Sequence, residues 1–91
     1  MDLAGDLEVF TFVADGGSFS AAGRRLKLAP SSVARVIDRI ETRLGARLLL
    51  RTTRSLVLTP EGVAYLSSAR RILADLRETE GVEGGFALLD L

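Results

Sequence analysis

The residues best equipped to act on a partner are arginines at helical spacing. In PSSVARVIDRIETRLG, residues 30–45, Arg35, Arg39 and Arg43 recur every four positions, behind two small hydroxyls at Ser31 and Ser32. A guanidinium keeps its charge at physiological pH and donates forked hydrogen bonds, which suits a ligand presenting rows of oxygen acceptors. It does not suit proton-transfer catalysis. The chain has no histidine and no cysteine, so the common nucleophile and base pairs and the usual zinc ligands are missing. Its carboxylates are scattered along helix surfaces, so neither an enzyme nor a metal or other cofactor is expected. Charged residues on the outer side of an amphipathic helix are by default only solvated, and the weight of a binding reading rests on the rest of the chain.

The charge distribution favours binding. The 91 residues carry twelve bases and twelve acids, yet residues 24–54 hold nine bases against two acids, a local charge of +7. The remainder holds three bases against ten acids, a charge of −7. The basic block contains the arginine-bearing segment, and eleven of the twelve bases are arginine, which fits phosphate and base edges better than lysine does. The length suits one small domain. No apolar run is long enough for a membrane span and Met1-Asp2-Leu3 lacks the character of a secretory signal, so a cytoplasmic protein without a membrane partner is expected.

Four helices and a hairpin are needed to position the arginines. Leu3, Leu7, Phe10 and Val13 or Ala14 predict a first helix over residues 2–14, with Asp2, Asp6 and Glu8 toward the positive end of its dipole. Asp15-Gly16-Gly17-Ser18 breaks the chain, with Ser18 placed to cap a second helix from Phe19 to about Lys27. Gly23 lies inside that helix beside Ala21 and Ala22, and these small residues are expected to let another helix approach closely. Only Leu28-Ala29 joins it to the third helix, whose Pro30 suits a first helical position and whose Gly45 suits a left-handed end. Val33, Ile37, Ile40 and Leu44 form its buried face.

Beyond Gly45 the period changes. Leu48-Leu49-Leu50 and Leu56-Val57-Leu58 flank Arg51-Thr52-Thr53-Arg54-Ser55, predicting a two-stranded ribbon with a basic, hydroxyl-rich tip suited to phosphate or a groove edge. Thr59 caps and Pro60 starts a fourth helix of roughly twenty residues, to about Thr79. Its stripe of Val63, Leu66, Ala69, Leu73 and Leu76 is longer than so small a core needs, which predicts burial against a partner chain. The alternative is that the helix folds back over its own core. Gly81 to Gly85 is glycine-rich, and Phe86 to Leu91 is a short apolar end whose role the sequence leaves open.

The order of these parts resembles the N-terminal DNA-binding domain of LysR-type transcriptional regulators. The strings that carry the resemblance are Gly17 to Ala22 (GSFSAA), Arg25-Leu26, Pro30 to Ile37 (PSSVARVI), Ile40 to Gly45 (IETRLG), Leu48 to Leu56 (LLLRTTRSL) and Leu58 to Gly62 (LTPEG). It covers about residues 3–78. It implies a mainly α fold: a winged helix-turn-helix, with a three-helix core and a two-stranded wing, followed by a long linker helix. The corresponding division is a DNA-binding domain over 1–58, a dimerisation helix over 59–79 and a flexible tail over 80–91. The implied partners are double-stranded DNA, bound at an inverted repeat, and a second copy of the chain. A small-molecule effector follows only if a C-terminal domain, absent from these residues, exists. The candidate DNA contacts are Ser20, Ser31, Ser32, Ala34, Arg35, Arg39, Arg51, Thr53 and Arg54, and the candidate dimer contacts are Val63, Leu66, Ala69, Leu73 and Leu76. The chain departs from the family in having Ala29 at the position of the capping hydroxyl and Ala34 where many members carry serine. The competing expectation is a winged-helix protein-interaction module that uses the long helix and the apolar tail.

Overall fold

The computed structural model describes residues 3–52 and 55–80, which form α1 (Leu3–Gly16), α2 (Phe19–Leu26), α3 (Pro30–Leu44), β1 (Leu49–Arg51), β2 (Leu56–Leu58) and α4 (Pro60–Glu80). Phe10, Val13, Ala22, Val33, Ile37, Ile40, Leu48 and Leu49 pack into one core where α1, α2 and α3 meet the base of the wing. Each helix contributes its apolar face at three- and four-residue spacing, so burial of that face determines which side of α3 is left outside.

Local signals set most boundaries. The Ser18 hydroxyl accepts the Ala21 amide at 3.0 Å and starts α2. Gly45, at φ 67°, ends α3 with its amide donating to the Glu41 carbonyl. Leu28 packs its backbone onto Gly23, where a β-carbon would lie 2.5 Å from the Leu28 oxygen, so the close approach at this glycine is made by the turn after α2 and not by another helix. Thr59 is buried, and its hydroxyl accepts the Gly62 amide at 2.9 Å while donating to the Arg47 carbonyl at 2.6 Å. The start of α4 is thereby tied to the entrance of the wing.

The sequence-based bounds need small corrections. α1 continues through Gly16, and the turn falls at Gly17, whose φ is 76°. Lys27 is not the last residue of α2 but its left-handed cap, with its amide on the Gly23 carbonyl. β1 begins at Leu49 rather than Leu48, because the amides of Leu48 and Leu49 both donate to the Glu41 carboxylate, at 2.8 and 3.2 Å. The wing is antiparallel, with Leu50 opposite Val57. Leu3 and Leu44, expected in buried stripes, are 57% and 46% exposed; each lies in a terminal turn of its helix. The segment from Gly81 to Leu91 lies outside the described residues.

Ala29 sits at the N-cap of α3 in extended backbone, φ −65° and ψ 145°, with no side-chain hydrogen bond to the first turn. Replacing Ala29 with serine should therefore stabilise the fold by about 1 kcal/mol, seen as a higher urea midpoint at unchanged slope. An unchanged midpoint would show that the first-turn amides gain nothing from a cap.

All of the stripe of α4 but Val63 is packed at least partly within the chain. Ala69 and Leu73 are buried with Leu7 of α1, and Tyr65 and Leu76 pack on the same cluster, while Leu66 packs on the main core. The helix lies across α1 because apolar faces on both elements are three and four residues apart and Arg70 closes their edge on Asp15 at 2.7 Å. This corrects the expectation that Ala69 and Leu73 await a partner. The apolar residues left exposed on α4 are Val63 at 55% and Ile72 at 40%.

Candidate nucleic-acid interface

The outer side of α3 is divided into three strips by what flanks it. On one flank, Arg39 and Arg43 turn toward α1, where their guanidiniums donate to the two oxygens of Asp6 at 2.6 and 3.2 Å. Asp6 is 3% exposed, so a carboxylate taken out of water is neutralised by two cations. Arg43 also hydrogen-bonds Tyr65, whose ring meets Phe10 edge-on at 5.0 Å. Burial raises the Tyr65 hydroxyl above its usual pKa of 10.0, against the opposing charge of Arg43, so it is protonated at neutral pH.

On the other flank, Asp38 accepts Arg51 of β1 at 2.9 Å, and the Arg51 guanidinium lies 4.9 Å from the centre of the Phe19 ring. Glu41 anchors the wing from behind through the Leu48 and Leu49 amides. Three acids therefore place α3: Asp6 against α1, and Asp38 and Glu41 against the wing.

The strip between the flanks is open. Ser31 and Arg35 are exposed, Ser32 and Ala34 are half-buried beside them, and Arg35 has no hydrogen bond or ion pair to the described residues. Ser20, Pro30, Arg51, Thr52 and Ser55 line a groove that leads from the start of α2 past the first turn of α3 to the wing. The tip is closed by Thr52, which donates from its amide and hydroxyl to the Ser55 carbonyl and accepts the Ser55 amide, each at 2.9 Å. Thr53 and Arg54, at the centre of that tip, lie outside the described residues.

The structure thus places Ser20 and Arg51 on one groove with Pro30, leaves Ser31 and Arg35 exposed one turn apart on α3 with Ser32 and Ala34 half-buried, and turns Arg39 to Asp6. Of the three arginines expected on the outward face, Arg39 and Arg43 are ion-paired to Asp6. Asp6 was legible only as an acid near the start of a helix, although its spacing to Leu3, Leu7 and Phe10 puts it in the apolar stripe. An acid in such a stripe signals a buried cation partner.

Among the described residues, no group of three or more metal-ligating side chains lies together and no helix is long and apolar enough to cross a membrane. What remains is an exposed arginine on the second of two helices joined by a short turn, beside a ribbon that carries Arg51. A winged helix-turn-helix is defined by that arrangement. The profile of the bacterial regulatory helix-turn-helix proteins of the lysR family matches residues 4–63, and the chain belongs to that family. The HTH-type transcriptional regulator CrgA of Neisseria meningitidis is 47% identical over 75 residues, which are 82% of this chain and 25% of that protein. The HTH-type transcriptional regulator PgrR of Escherichia coli is 46% identical over 71 residues, 78% of this chain and 24% of the relative. The chain therefore spans about a quarter of the length of these relatives.

Solved structures agree on the architecture. The CbnR_DBD-DNA complex is 35% identical with a TM-score of 0.81, covering 97% of this chain and 99% of that one. The BenM_DBD/catB site 1 DNA complex is 29% identical with a TM-score of 0.86, covering 96% and 97%.

Proposed function

We propose that this chain binds double-stranded DNA sequence-specifically, with α3 in the major groove and the wing against the minor groove or the adjoining backbone. The observation that carries the reading is the open strip of α3, where Arg35 stands exposed and, among the described residues, unpaired between two flanks that are held by acids. Arg35 is the base-reading residue, since a guanidinium donates two parallel bonds to a guanine edge. Ser31, Ser32 and Ser20 take nearby phosphates, and Ala34 offers a methyl to a thymine. Arg51, with Thr53 and Arg54 at the tip, supplies the wing contact. The likeness to two chains solved with DNA supports the placement of α3. The chain acts as part of a transcription regulator, in the cytoplasm and not as an enzyme, in keeping with its relatives' names.

The reading includes a dimer on an inverted repeat. Because Ala69 and Leu73 are already covered by α1, the pairing surface is built from Val63 and Ile72, with Leu66 and Leu76 at its partly buried margin. The division into a winged domain over 1–58 and a dimerisation helix over 59–79 is kept, with the two in contact through α1. Substituting Val63 and Ile72 together by aspartate should leave the circular dichroism spectrum unchanged and shift the sedimentation coefficient to that of a monomer. A folded variant that still sediments as a dimer would remove this face from the interface.

The direct test of DNA recognition compares a selected duplex with a scrambled one by fluorescence anisotropy. Equal affinity for both at physiological salt would contradict sequence-specific binding. A winged-helix interaction module is the second reading; the exposed pair Leu50 and Val57 on the outer face of the wing is the observation in its favour. Duplex binding insensitive to salt and to loss of Arg35 would support it.

A further inference from the structure

We propose that Asp6 acts as an internal substitute for phosphate, withholding Arg39 of α3 from DNA so that sequence-independent attraction stays low while Arg35 reads the duplex. The inference rests on the duplex-binding reading above. Arg39 lies one turn beyond Arg35 on the same helix, and its side chain is 49% exposed, so about half of it faces the solvent that a duplex would displace. It points instead to a carboxylate that is 4% exposed.

The two oxygens of Asp6 are divided between Arg39 at 2.6 Å and Arg43 at 3.2 Å. Moving Arg39 to a phosphate would leave a buried carboxylate with Arg43 as its remaining cation, and Arg43 is shared with the Tyr65 hydroxyl. A charge-assisted bond to a buried group resists such an exchange more than one to a group in water. Asp6 therefore sets how many phosphates α3 neutralises. Among the described residues no corresponding acid holds Arg35, and this contrast between adjacent turns is what separates reading from mere attachment.

Asp6 is thus a positioning residue for specificity, and the log–log salt dependence reports it because each neutralised phosphate contributes a slope of about −0.9. A strut that only held α1 to α3 would change stability and leave that slope alone. The experiment measures affinity against salt for the full chain on a random-sequence duplex and on a selected site. It compares the wild type with Asp6→Asn, Arg39→Gln and the double variant, each checked for folding by circular dichroism.

Asp6→Asn should steepen the slope by about 0.9 and raise random-duplex affinity roughly three- to ten-fold, lowering the ratio of selected to random binding. Arg39→Gln alone should leave the slope as in the wild type, and the double variant should return to it. A folded Asp6→Asn with an unchanged slope would overturn the proposal. So would an Arg39→Gln slope shallower by about 0.9, which would put Arg39 on a phosphate already. If Asp6→Asn does not fold, the Arg39→Gln slope decides alone. A wild type with no salt-dependent duplex binding would refute the underlying reading instead.

Discussion

Leu73→Asp should destabilise the chain by about 4 kcal/mol, because it puts an unpaired charge where an aliphatic side chain fills the α1–α4 contact. Leu73 is 7% exposed and packs with Leu7 and Ala69, while its sequence neighbour Ile72 is 40% exposed. One step along a helix turns a side chain by more than a quarter of a revolution, so these neighbours face different surroundings. With small domains holding roughly 5–15 kcal/mol in total, Leu73→Asp removes much of that margin. Urea unfolding of Leu73→Asp and Ile72→Asp side by side checks this. The former should lose most of its midpoint and the latter almost none; equal midpoints would mean that α4 does not need α1.

Arg35→Ala should remove about 1–3 kcal/mol of discrimination at the base pair that Arg35 reads, with the fold intact. The side chain is exposed and has no hydrogen bond or ion pair among the described residues, so its loss leaves no buried charge behind. The effect should fall mainly on the ratio between selected and random duplexes. Competition binding measures that ratio directly. An unchanged ratio would move base recognition elsewhere on α3.

The elements of this fold were legible because its punctuation is local. Pro30 and Gly45 bound α3, Thr59 and Pro60 start α4, and Gly23 admits the backbone of the turn at Leu28. Each is a backbone requirement that a side chain either meets or does not. The family strings added the order of the parts, and the match over residues 4–63 agrees with them.

What was not legible depends on which faces meet in three dimensions. The periodicity of α4 marks Ala69 and Leu73 as apolar but carries no information on whether α1 or a second chain covers them. Arg35, Arg39 and Arg43 are equivalent by spacing, and only the placement of α1 across α3 separates them. Asp6 is 33 residues from Arg39 in the chain, beyond the reach of any local pattern. The contacts of Asp38 with Arg51, and of Glu41 with two backbone amides, likewise need the wing folded back.

The most direct test of the central claim is selection of binding sites from a random duplex pool by this chain at near-physiological salt. An enriched inverted repeat is expected, with half-sites spaced for two copies of α3 in successive major grooves and a preference that weakens in Arg35→Ala. Recovery of duplexes without a shared motif, bound only at low salt, would contradict it and leave electrostatic attachment alone.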